Sequence, residues 1–190
     1  VVASNIQIAG SGIAFNSSTD DGGGVAIGSG SVVSVAGTVI NSNSSDEFGG
    51  GIYVADGSLF MIDSTIAGNQ AAASGGGLNN EQGTITIRRT TISNNAATIS
   101  GGGIDNFQGS IGISQATISG NTAGEDGGGV VNFAEGAVEF QSSTIVNNSA
   151  GDTGGGLWST GVSRSGNTIV ALNFSENGSR DVSGSVTSLG

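Results

Sequence analysis

Residues 75–103 read GGGLNNEQGTITIRRTTISNNAATISGGG, and this stretch decides the fold. Glycine triplets bracket it at Gly75–Gly77 and Gly101–Gly103. Between them, Ile85/Ile87 alternate with polar neighbours, and Thr91-Ile92 and Asn95 follow. Alternation marks strands, because successive side chains leave a strand on opposite faces. Segments this short cannot stand alone, so they need copies of themselves to pair with.

The rest of the chain supplies the copies. Triplets recur at Gly22–Gly24, Gly49–Gly51, Gly127–Gly129 and Gly154–Gly156, and the six triplets are spaced 27, 26, 26, 26 and 27 residues apart. An aliphatic follows each one: Val25, Ile52, Leu78, Ile104, Val130, Leu157. Alternating pairs come next at Leu59/Met61, Ile111/Ile113 and Val138/Phe140, then Thr-aliphatic pairs at Thr38-Val39, Thr65-Ile66, Thr117-Ile118 and Thr144-Ile145. Asn69, Asn95, Asn121 and Asn148 stand three residues beyond, whereas the first coil has Ser42 and then Asn43. The opening segment, with Ile6/Ile8, Ile13 and Asn16, reads as the second half of a coil.

The expected fold is all-β: a right-handed parallel β-helix, a solenoid of about seven coils with about 26 residues and three short strands in each. At the usual strand spacing the stack is roughly 35 Å long. Residues 1–190 are read as a single domain and as a piece of a longer chain, since Val1 is not a Met start.

Composition narrows the function. Fifteen acids oppose four Arg, with no Lys or His, for a net charge of −11. Nucleic acid and anionic lipid both call for clustered base, so neither is an expected partner. No apolar run approaches the length of a membrane helix, so direct membrane insertion is not expected. Cys is absent, which removes disulfide staples and thiolate metal sites.

Several columns invite a chemical reading. Asn80, Asn106 and Asn132 have inward parity and can stack as an amide ladder. Asn69, Asn95, Asn121 and Asn148 are expected at a turn, where Asn tolerates left-handed backbone, and are counted with the structural ladder. Thr38, Thr65, Thr91, Thr117 and Thr144 are expected to face solvent, but ice binding would want a second Thr rank, and that rank is missing. The glycine triplets read as tight corners; a phosphate cradle would need a helix after them, and a strand follows. Asp20, Asp21, Asp46, Glu47, Glu125, Asp126 and Asp152 gather before four of the triplets and are the calcium candidates, since Ca²⁺ takes several oxygen ligands. Ala73-Ser74 and Ile99-Ser100 interrupt that column, so solvated turn acids are the blander expectation.

Catalysis is not expected. A glycosidase needs two carboxylates placed across a sugar, and Asp63, Asp105, Glu135 and Glu139 look scattered in phase. Arg88 and Arg89 show no carboxylate cluster in matching coils. Sugar platforms want aromatics, and Tyr53 and Trp158 are alone of their kinds.

The pattern Gly-Gly-Gly-aliphatic followed by Thr-Ile-x-x-Asn resembles the repeats of bacterial right-handed parallel β-helix surface and secreted proteins. It is similar to the paired Gly-Gly-Ala-aliphatic and Phe-x-x-Asn repeats of chlamydial polymorphic outer membrane proteins. Ile13-Ala14-Phe15-Asn16 and Ile66-Ala67-Gly68-Asn69 stand where the second motif would. The closing stretches, Gly166–Ala171 and Asp181–Gly190, look like the end of the β-helix in large secreted bacterial proteins with C-terminal anchors. The resemblance implies an extracellular or cell-surface location and a structural or adhesive role, and it carries over no catalytic residue. The leading expectation is a non-enzymatic segment, associating with itself end to end or laterally as in a filament, or with surface glycans. The alternative is a carbohydrate-binding or polysaccharide-cleaving β-helix.

Overall fold

β-Branched residues crowd the periodic stretches and Gly and Asn punctuate them, so the chain alternates between short extended runs and sharp corners. The computed structural model describes residues 4–189 and shows the outcome: an all-β parallel solenoid of about seven turns. Four parallel sheets run its length. The first holds five-residue strands such as Ser58–Ile62, Thr84–Arg88 and Ser110–Ser114. The second holds the Thr-Ile strands, such as Thr65–Ala67 and Thr91–Ser93. The fourth follows the glycine triplets, with Ile52–Val54, Leu78–Asn80 and Ile104–Asn106. The third was not foreseen. Its strands have two residues, such as Gln70–Ala71 and Ala96–Ala97, too short for alternation to reveal, so each coil carries four strands rather than three.

The stack is in register, with like residue on like. Ile66 pairs with Ile92, Ile92 with Ile118 and Ile118 with Ile145. Ile85/Ile87, Ile111/Ile113 and Val138/Phe140 face them from the first sheet, and Leu78, Ile104 and Val130 from the fourth, in one continuous buried core. The narrow vertex is filled by small residues, Ala71, Ala97, Ala123 and Ala150. Length differences are absorbed outside the sheets. The loops at 28–31 and 133–136 hold four residues where 55–57, 81–83 and 107–109 hold three, and these two loops give the 27-residue spacings.

The glycine triplet is a corner where two coils touch through their backbones. Gly75 has φ 71°, in left-handed space. A Cβ on Gly76 would lie 2.3 Å from Ala96 O, and one on Gly77 would lie 2.6 Å from Gly103 O, so only glycine fits at either position.

The first coil corrects the Thr column. Thr38 aligns one residue early: Val39 pairs with Thr65 and Ile40 with Ile66. Val39 therefore faces solvent at 45% exposure while Thr38 is buried, its hydroxyl donating to Ala36 O at 3.1 Å. Thr65, Thr91, Thr117 and Thr144 are partly or fully exposed on the outer surface. The same one-residue shift brings Asn43 into line with Asn69, so the irregularity read at Ser42 disappears.

Candidate functional site

Two stacks of polar side chains run along the solenoid. The first holds Asn16, Asn43, Asn69, Asn95, Asn121, Asn148 and Asn173. The left-handed residue of this corner is the one before the Asn, as at Ser42, Asn94 and Asn147. The Asn sits at the corner between strands, as expected, but it is not itself left-handed: it turns inward, and Asn43 through Asn173 are buried. Asn95 shows the pattern. Its Nδ2 donates to Asn121 Oδ1 at 2.9 Å and to Ile66 O at 3.1 Å. Its Oδ1 accepts from Asn69 Nδ2 at 2.9 Å and from Asn69 N at 3.0 Å. Both amide protons and both lone pairs are used, so the group needs nothing from solvent. The ladder is polar, every rung donating toward the C-terminal coil, and at its end Asp181 replaces Asn. Its Oδ1 accepts from Asn173 Nδ2 and N at 2.9 and 3.0 Å.

Asn80, Asn106 and Asn132 form the second stack, linked Nδ2 to Oδ1 at 2.8 Å and fully buried. Asn80 also closes its own loop, accepting from Gly83 N at 2.9 Å. Asn132 finishes the run on Ser159 and Ser163.

The acids before the triplets divide. Among the described residues, Asp20, Asp21 and Glu47 bring carboxylate oxygens within 4.8 Å of one another. Asp46, Glu125, Asp126 and Asp152 join no such group of three. Asp126 serves the backbone instead, accepting from Thr153 N and Oγ1 at 3.2 and 2.8 Å. Asp63 lies one coil before Arg89, and the two form a bidentate pair at 2.7 and 2.9 Å on the exposed surface, so Arg89 does have an acidic partner in a matching coil. That pair lowers the Asp63 carboxyl below its usual range.

The arrangement with chemical interest lies on the outer side of the fourth sheet. The middle residue of each of its strands points away from the core, and Tyr53, Asn79 and Asp105 follow one another in that column. The turn before the triplets supplies one rim, with Asp21, Phe48 and Ser74. The loop after the strand supplies the other, with Glu81, Phe107 and Phe133. Together they enclose a groove of about 390 Å³. Phe107 packs edge-on against Phe133 at 5.5 Å, and Phe133 against Trp158 at 5.4 Å, so Trp158 and the rim phenylalanines form one aromatic row.

The electrostatics of the groove are one-sided. Tyr53 donates its hydroxyl proton to Glu81. Burial, then Glu81 and Asp21, raise the phenol above its usual range. Asp21 accepts from Phe48 N at 3.1 Å, but burial and the charges of Asp20 and Glu81 still raise its carboxyl. Asp105 is 3% exposed, and burial pushes its carboxyl up to about 7, against one hydrogen bond from Ser74. No basic residue lines the groove.

Asp105 looked scattered in the sequence, yet it lines the same groove as Asp21 and Glu81. Tyr53, Asn79, Glu81 and the three phenylalanines were missed. The available signal was parity: the column 53, 79, 105, 131, 158 faces outward but reads Tyr, Asn, Asp, Val, Trp, where an ordinary β surface would carry Thr and Ser. Among the described residues no helix is long and apolar enough to cross a membrane. In comparisons with known proteins, no family model, curated protein or solved structure matches this chain, so the chemistry of the groove rests on its own residues.

Proposed function

We infer that the chain is a non-enzymatic, adhesive β-solenoid of a secreted or cell-surface protein, a rigid rod whose groove binds glycan. The observation that carries this reading is the groove itself. Aromatic rims at Phe107 and Phe133 flank hydrogen-bonding groups at Tyr53, Asn79 and Glu81. That combination suits a ligand with apolar ring faces and hydroxyl edges. The in-register sheets and satisfied Asn ladders support the rod, since they leave the rims little freedom to shift. Asp105 favours binding over cleavage, because it is recessed and its hydroxyl partner is Ser74 rather than an open position. The chain also lacks His and Cys.

A glycan array probed with the purified protein tests the reading, alongside Phe107→Ala, which alters a half-exposed rim residue. Binding to a defined glycan set that weakens in the variant, with no reducing ends released from the same polysaccharides, is the expected result. Reducing-end release would replace adhesion with catalysis, and an array with no bound glycan would end the glycan reading.

A further inference from the structure

The groove holds more negative charge than its own donors can serve. Asp21, Glu81 and Asp105 all line it. A phenol has one proton, and the Tyr53 hydroxyl stands between Glu81 and Asp21, so it can serve only one of the two carboxylates at a time. The arginines are placed elsewhere. Arg88 and Arg164 belong to the first sheet, Arg89 is held by Asp63, and Arg180 lies over Phe174 at 5.8 Å. Excess carboxylate beside the faces and edges of aromatic rings is the setting in which an ammonium group is stabilised twice, by charge-assisted hydrogen bonds and by cation–π attraction.

We propose that the groove selects amino sugars bearing a free ammonium group, which bonds to Glu81 and Asp21 while the sugar ring lies against Phe107 and Phe133. The inference rests on the glycan reading above and adds the ligand's charge. The geometry disfavours uronic acids, whose carboxylates would meet those of Glu81 and Asp21, and gives no advantage to N-acylated sugars, whose amide nitrogen is neutral.

Calorimetry on the whole chain at pH 6 tests it with four probes: a glucosamine tetramer, an N-acetylglucosamine tetramer, an oligogalacturonate and tetralysine. The glucosamine tetramer is expected to bind about ten-fold more tightly than its N-acetylated form, with the preference shrinking in added salt. Glu81→Gln, which keeps the side-chain shape, is expected to reduce that preference to about two-fold; circular dichroism checks that the variant is folded. Equal or tighter binding of the N-acetylated tetramer overturns the charge inference and leaves the glycan reading standing. Tetralysine binding as tightly as the glucosamine tetramer overturns the sugar and leaves only charge. If no probe binds the folded protein, the amino-sugar inference falls, and the glycan array decides the glycan reading separately.

Discussion

The Asn ladder and the groove are both polar stacks built on the same coils, yet they solve opposite problems. In the ladder each amide gives one proton to the Asn of the next coil and one to a carbonyl of the coil before, and accepts two hydrogen bonds from the previous Asn, so burial costs little. In the groove Glu81 and Asp21 share one phenol proton and Asp105 has only Ser74, and burial raises Asp21 and Asp105 rather than being offset. An amide is both donor and acceptor and can tile without limit, whereas a carboxylate only accepts. The solenoid is therefore stable where its polar groups are complementary to themselves, and open to a ligand where they are not.

Breaking the ladder should have the largest effect. Asn95→Ala strands the N and Nδ2 of Asn69 and removes a donor from Ile66 O and Asn121 Oδ1. A loss of about 3–5 kcal/mol is expected by chemical denaturation, several times the usual surface change. A loss under about 1 kcal/mol would show that the ladder fills space rather than satisfying donors.

The matching change in the groove should have the opposite sign. The folded-state carboxyl of Asp105 titrates near 7 against 3.8 for the free group, so the folded protein holds the extra proton between those values. Its cost to stability is absent below pH 4, grows as pH rises through that window and is complete above it. Asp105→Asn is thus expected to stabilise the protein by about 2–4 kcal/mol at pH 8 and by nothing at pH 3.5, read as melting temperature against pH. A stability difference that does not vary with pH would contradict this.

A smaller gain is expected at the end of the ladder. Leu172, just before Asn173, holds φ 58° with its side chain 76% exposed, where Asn94 and Asn147 occupy equivalent corners. Leu172→Asn should relieve left-handed strain and add about 0.5–1 kcal/mol; a lower denaturation midpoint would show that the leucine is held by a contact. The least effect belongs to the exposed ion pair outside both stacks. Arg89→Ala should leave the melting temperature unchanged within error while the Asp63 carboxyl, followed by NMR titration, returns upward toward its ordinary value.

Much of the fold was legible in the chain because a solenoid repeats its own pattern. The triplet spacing and the Ile columns at 66, 92, 118 and 145 are strictly local signals. The slip at Thr38-Val39-Ile40 shows where local reading stops. Two β-branched aliphatics in succession, Val39 and Ile40, leave the inward one ambiguous, and only pairing with Thr65-Ile66 assigns Ile40 to the core. The two-residue strands escaped for a related reason, since a period of two cannot be read from two residues.

The sequence by itself determined the coil length, the parallel stacking and the inward parity of the Asn80, Asn106 and Asn132 column, because each is fixed by spacing along the chain. The tertiary structure decided the groove. Asp21, Tyr53, Glu81 and Asp105 come from successive coils and from three different positions within them, so no single repeat contains the site. Their proximity depends on in-register pairing and on the angle of two corners. The raised values of Asp21, Tyr53 and Asp105 depend on burial, which only the folded chain provides.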